Sequence, residues 1–343
     1  MKVLLGMSGG VESTYAVTVL RRMGYEVHGA VVSMHEFTET EEARLSAEAL
    51  GVPLHTIDGA RLFEEKVIYS FIKEYRAGRT PNPCIICNRE VKFRLLYDYA
   101  MEKGFDKIAT GHYADLVSIP DKDGVRYALK RGEDGKKDQT YMLWRLPQEI
   151  LSRLVFPLSG ITKDTVRKEA EKMELSAAYR DESQEICFIP DGDYASYIEA
   201  RTGKCREGNF VDEAGKVLGR HKGIIHYTVG QRKGLGIALG ERAFITRIDP
   251  LNDEITLSTK DSFSEIFTVS DMVFSGLAEP ACGHEECFDV KHRYLAPLSK
   301  ARVLYLGDGK AEVKLDSPIR AVTPGQSAVF YKDGVVMMGG IID

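Results

Sequence analysis

The sequence predicts an α/β chain with a parallel sheet in its first two hundred residues, followed by β-rich units made of short strands. Three observations carry this. From residue 1 to about 200, apolar runs alternate with amphipathic stretches, which is βαβ order. After about residue 205 the pattern changes to brief β-like runs broken by glycine turns. The last section, 301–342, alternates apolar and polar residues about an Asp308-Gly309 turn, as antiparallel strands of a barrel or sandwich do.

In order along the chain, the strand candidates are KVLLGM, VHGAVVSM, PLHTID and KIATGHY, separated by helical stretches such as 39–50 and 91–103. The run 27–34 lies beside the first strand and puts Met34 at a carboxyl end, where such sheets bind ligands. FVDEAGKVLG, GIIHYTVGQRKGLGI, RAFITRID and EITLS then predict a small β-rich unit. A chain of 343 residues exceeds one comfortable core. The expected division is 1–200, 201–275 and 276–343.

Between the first strand and the first helix stands GMSGGVEST, residues 6–14. Its glycines let the N–H groups of Ser8, Gly9 and Gly10 converge on an anion, and the helix N-terminus adds its partial positive charge at the same point. Neither G-x-x-x-x-G-K-[ST] nor G-x-G-x-x-G occurs, which argues against GTPase-like and dinucleotide-binding readings.

Composition is that of a globular protein, 43% hydrophobic and 28% charged, and the net charge of −5 gives no global sign of a polyanionic partner. Basic residues cluster locally at Arg76, Arg79, Arg89, Lys92 and Arg94, at Lys130, Arg131, Lys136 and Lys137, and at Arg220, His221, Lys222, Arg232 and Lys233. A basic face on an acidic protein is therefore open. No stretch approaches the ~18 apolar residues of a membrane span, so no membrane partner and a cytoplasmic location are expected. Six cysteines in a reducing compartment are reactive, metal-binding or buried rather than a disulfide framework.

Three segments carry chemistry. In GRTPNPCIICNREVKF, 78–93, two prolines and an asparagine enforce an exposed loop that presents Cys84 and Cys87 before a helix. Arg89 and Lys92 nearby are expected to acidify these thiols. DESQEICFI, 181–189, brings Cys187, and GHYAD, 111–115, ends a strand where Gly111 permits close backbone approach and His112 can meet a polar ligand. Cys282, His284 and Cys287 lack a second matching pair and read as a surface loop; Cys205 is silent, and Trp144 reads as packing.

GMSGGVEST, NPCIICN, GHYAD, KDQTYML, SQEICFI, YTVGQRKGLGI and AVTPGQ, in this order over the whole chain, resemble the tRNA-uridine 2-sulfurtransferases, the 2-thiouridylases of the wobble uridine. The resemblance implies a pyrophosphatase-loop (PP-loop) ATPase domain, a small central domain and a C-terminal antiparallel β-barrel. It implies ATP and Mg²⁺, with ATP held by Gly6, Met7, Ser8, Gly9, Gly10, Val11, Glu12, Ser13, Met34 and Gly111. Asn82, Pro83 and Cys84 would surround the target base, and His112, Lys137, Asp138, Gln139, Arg293, Tyr294 and Gln326 would meet a tRNA carrying U34. Cys187 would carry sulfur as a persulfide received from a donor protein, a cysteine desulfurase or a relay, and Cys87 would be the second catalytic cysteine, able to close a disulfide with it.

The chain departs from the family at two positions: Glu12 replaces the common Asp, and Cys84 replaces an Asp that is a candidate base. Two alternatives stay open. Cys84, Cys87 and Cys187 supply three thiolates, enough for an iron-sulfur cluster with one open iron site. A non-catalytic tRNA-binding paralogue would also carry such substitutions. An amidating synthetase with the same ATP loop would not need the paired cysteines.

Overall fold

The computed structural model describes residues 1–122, 124–133, 135, 137–179, 186–237, 242–259 and 263–343. Lys136 and residues 181–185 of the DESQEICFI motif lie outside the described residues.

The first strand, β1 (Lys2–Gly6), is central in a five-stranded sheet. On one side it pairs with β2 (Glu26–Ser33), which pairs with β3 (Leu54–Asp58); on the other it pairs with β4 (Lys107–Thr110). The hairpin β5 (Asp115–Asp121) and β6 (Gly124–Lys130) leaves this sheet, and β7 (Leu154–Val155) returns to pair with β4. All pairings within the sheet are parallel. Side chains of β1 alternate between two cores: Val3 and Leu5 pack with Ala16, Val17 and Leu20, whereas Leu4 packs with Phe93 and Leu96. Because the chain moves from β1 to β3 and then crosses back to β4, the strand order reverses between β1 and β4, and a crevice opens at their carboxyl ends.

The middle unit is a four-stranded sheet of β8 (Gly208–Val211), β9 (Val217–His221), β10 (Phe244–Asp249) and β11 (Glu254–Ser258) in the order β10-β11-β8-β9. Six antiparallel strands then close a barrel: β12 (Phe263–Phe274), β13 (Glu285–Lys291), β14 (Ser299–Gly307), β15 (Lys310–Arg320), β16 (Ser327–Lys332) and β17 (Val335–Ile342), with β17 pairing back to β12. Asp308 and Gly309, both at positive φ (52° and 64°), make the tight turn between β14 and β15 read from the sequence. Strand β12 pairs within the barrel, although it precedes the 275/276 boundary expected from the sequence. No helix among the described residues is long and apolar enough to cross a membrane.

No local signal in the sequence announces that β5 and β6 join the barrel, where Lys130 pairs with Val335. The seam beside this pairing is filled by Trp144, fully buried, whose indole N–H donates to Ser327 Oγ at 3.0 Å. Its ring lies against Gly339 so closely that a Cβ there would stand 2.4 Å from Trp144 Cε3. Gly339→Val therefore overpacks the joint, and a loss of roughly 1–3 kcal/mol or more, seen as a lowered Tm in thermal unfolding, is expected.

Candidate active site

The turn after β1 passes over the helix α1 (Val11–Arg22) and stops against the helix α2 (Thr40–Ala49). Gly9 has φ 79°, and a Cβ on it would lie 2.6 Å from Glu42 Cβ and 2.9 Å from Ala43 N. Gly111, at the end of β4, comes equally close from the other side, its Cβ position being 2.8 Å from Ser13 N. Gly10 caps α1 without any side-chain hydrogen bond, which leaves the helix N-terminus to an external anion. Ser13 braces the turn: its hydroxyl donates to Gly10 O at 3.0 Å and accepts from Ser8 N–H at 3.2 Å, so the Ser8 donor is engaged within the loop. Beneath it, Met7 N–H donates to Ala30 O at 2.8 Å. The Glu12 carboxylate meets Lys163 Nζ at 2.9 Å. Lys163 carried no sequence signal, because only folding brings it to position 12.

Asn82 caps the short helix Pro83–Cys87 by accepting from Cys84 N–H at 3.2 Å, with Pro83 in the first turn, where a missing N–H costs nothing. A wide i→i+5 turn, Asn88–Lys92, follows, a feature frequent at functional sites. Cys84 is exposed and Cys87 is buried, its Sγ 3.7 Å from Met34 Sδ. Here the expected acidification of Cys87 is corrected. Burial pushes this thiol up to about 12, against the pull of Lys92, because Cys87 ends its helix and points into the cluster of Phe63, Phe71 and Phe188.

Cys187 is exposed, yet the protein around it raises its pKa, with Lys92 acting in the opposite direction. Phe188 shares the Cys87 cluster, so the fold brings the two cysteine segments together. Lys92 is solvent-accessible although protein crowds it; that crowding opposes its charge, and Cys87, Cys84 and Cys187 outweigh it to raise its pKa. His112 is pushed down to about 3 by burial and then by Lys92, and its Nδ1 is 2.9 Å from Thr110 Oγ1. His35 is lowered for the same two reasons.

The residues expected on the RNA side divide. Arg293 is exposed, and Tyr294 lies under Lys291 Nζ at 5.4 Å from the ring centre. Lys137 is partly buried. Asp138 does not face outward: 4% exposed, it accepts from Arg131 Nε at 3.1 Å and from Thr140 Oγ1 at 2.7 Å, so it holds a turn together. Gln139 Oε1 accepts from Tyr113 N–H at 2.8 Å and thereby fixes the GHYAD segment. Gln326 Nε2 donates to Thr80 O at 2.7 Å, two residues before Asn82. In the Arg76 to Arg94 cluster, the four arginines are bonded within the protein, to Thr202, Glu74, Glu90, and Asp98 with Glu149, which leaves Arg232 and Lys233 as more exposed cations. Cys282 and Cys287 are exposed, as read, although Cys287 lies within β13 rather than a loop.

These features define a parallel α/β domain with a glycine turn at a helix N-terminus and two cysteine segments that meet in one apolar cluster, joined to two β units. Family models match in the same order: a tRNA methyl transferase HUP domain over 1–191, a tRNA methyl transferase PRC-barrel domain over 195–259 and an aminomethyltransferase β-barrel domain over 264–342. The tRNA-specific 2-thiouridylase MnmA of Acetivibrio thermocellus is 44% identical over 360 positions, covering 99% of each chain. Those of Clostridium botulinum and Lachnoclostridium phytofermentans are each 42% identical, covering 100% and 99% of this chain and 99% of their own. The chain belongs to the tRNA-specific 2-thiouridylase family.

Lys92 acts on all three thiols, and replacing it by Met removes the largest of the influences that lower the Cys187 pKa. Iodoacetamide alkylation of Cys187, followed by mass spectrometry across pH 6–10, is expected to shift to higher pH in Lys92→Met, with Cys87 reacting more slowly than Cys187 in both proteins.

Proposed function

We propose that the chain thiolates the C2 position of uridine 34 of tRNA in an ATP-dependent reaction, with Cys187 delivering the sulfur. The observation that carries this is the convergence of the Cys87 and Cys187 segments on one cluster at the crevice that holds the phosphate-type loop. A uridine O2 cannot leave as oxide. Its attack on the α-phosphorus of ATP expels pyrophosphate and makes an O2-adenylate, whose AMP is a competent leaving group. The N-terminus of α1 and the Gly9-Gly10 turn would hold the phosphates. Mg²⁺, when bound, supplies charge neutralisation at the pyrophosphate; Glu12 is the carboxylate in reach, and Lys163 already faces it.

The terminal sulfur of a Cys187 persulfide, received from a sulfur-donor protein, would then attack C2 and displace AMP. Cys87 gives up its proton to water as it becomes exposed and attacks Cys187 Sγ; the sulfur–sulfur bond to the base breaks, and its electron pair stays on the sulfur now bound to C2. A Cys87–Cys187 disulfide results, and two external electrons reset it. Burial keeps Cys87 protonated before this step, which protects it from premature oxidation. Lys92 stands to stabilise the anionic persulfide. Among the described residues no three His, Cys, Asp or Glu side chains are grouped as metal ligands.

Incubation with ATP, Mg²⁺, unmodified tRNA and a persulfide donor, followed by nucleoside mass analysis, is expected to yield 2-thiouridine and one pyrophosphate per modified base. Cys187→Ser is expected to lose at least a thousandfold in thiolation while still adenylylating. Thiolation that survives in this variant would overturn the assignment.

A further inference from the structure

Behind the cysteine helix, a cavity of about 220 Å³ lies between helix Tyr69–Arg76, the 79–86 segment and the barrel. No cysteine lines it. Ile85, Ile86 and Ile341 give it apolar walls, while Asn82 and Arg145 supply polar edges. Arg145 is 8% exposed, and its Nε is buried with no hydrogen-bond partner. The far end of the guanidinium pairs with Asp271, and its face lies 5.3 Å from the Trp144 ring centre.

Asp271 takes φ 50° at the irregularity between Ser270 and Val273 in the pairing of β12 with β17, a left-handed conformation that aspartate tolerates better than most residues. A buried N–H without an acceptor is costly, and an occupant offering a lone pair would relieve it. The arginines of the cavity are already neutralised, Arg145 by Asp271 and Arg79 by Glu74 at 2.8 Å. Such a space does not suit a phosphate, which asks for net positive charge and no apolar wall. It suits a flat group with apolar faces and a hydrogen-bonding edge.

We propose that this cavity is a second base-binding subsite, which takes a nucleobase of the substrate loop next to the target uridine and offers it the Arg145 Nε–H. The inference rests on the reading of tRNA as substrate. Asn82 caps the Cys84 helix and also lines the cavity, so a base seated there would position the RNA against the loop that surrounds the reacting uridine.

Ser70, partly exposed on the helix wall, allows the cavity to be filled from outside as Ser70→Trp. Binding of a fluorescent anticodon stem-loop to the full chain is measured with intact RNA and with RNAs made abasic on either side of the target. Ser70→Trp is expected to weaken intact RNA about tenfold, one abasic position to weaken the wild type by a similar factor, and the two together to cost no more than either alone. Arg145→Lys keeps the charge facing Asp271 but lacks Nε–H, and is expected to repeat this pattern should Ser70→Trp fail to fold. Penalties that multiply, or the absence of any penalty, would overturn the subsite. In a further arm, AMP that competes with intact RNA for the wild type but not for Ser70→Trp would assign the cavity to a free nucleotide base and overturn it too. Thiolation of the same stem-loop by the wild type is followed in parallel: its failure counts against the proposed function, whereas the binding cycle reads the subsite alone.

Discussion

Everything at the site depends on how Thr80 is held. Its N–H donates to Pro324 O at 2.8 Å and its carbonyl accepts from Gln326 Nε2 at 2.7 Å, so the barrel grips both sides of one residue just before the cysteine helix. Gly325, at φ 89°, must be glycine for this grip, since a Cβ would stand 3.0 Å from Thr80 N. Arg79 reaches Ile342 O at 3.0 Å, and the Cβ position of Gly78 is 2.8 Å from Ile248 of the middle unit. Loops usually owe their place to the elements they connect. This one owes it to two domains far away in sequence, and any force on the barrel therefore acts on Asn82 and the helix it caps.

From that anchored start, the chemistry is sorted by burial. The five-residue helix exposes Cys84 and sends Cys87 inward to Met34, and the wide turn after it returns Lys92 to the crevice. A thiol in an apolar cluster is inert until it is exposed, while at the accessible Cys187 the crowding that raises its pKa is opposed by Lys92. The two histidines near Lys92 are held neutral by burial and by that same cation, so neither adds positive charge near neutral pH. Lys92 is then left as the principal cation acting on three sulfurs.

Much of this was legible in the sequence. The βαβ alternation located the sheet, the position of GMSGGVEST after an apolar run located the turn, and the Asp308-Gly309 pair located a barrel hairpin, because each is a local signal with a local cause. What was not legible is long-range. Nothing at Lys163 announces Glu12, nothing at Asp271 announces Arg145, and the attachment of β5 and β6 to the barrel comes down to pairing at Lys130 and Val335. The internal partners of polar residues were not legible either. The resemblance alone put Asp138 and Gln139 on the RNA side, and the fold adds that each satisfies a backbone or side-chain donor within the protein, which sequence cannot show.

The substitution at position 84 follows the same electrostatic logic. In the family pattern an aspartate stands there, a fixed negative charge one helical turn from Cys87 and in the field of Lys92. Cysteine leaves the cap intact, since Asn82 bonds to the backbone N–H of residue 84 and not to its side chain. What changes is the competition for Lys92: a cysteine is not the permanently charged partner that a carboxylate is, so the ammonium is left to whichever sulfur becomes anionic. On the proposed reading of the site, a cysteine at position 84 offers no fixed carboxylate as proton acceptor, so the proton that must leave uridine N3 would pass to solvent or to the adenylate's phosphate oxygens rather than to residue 84.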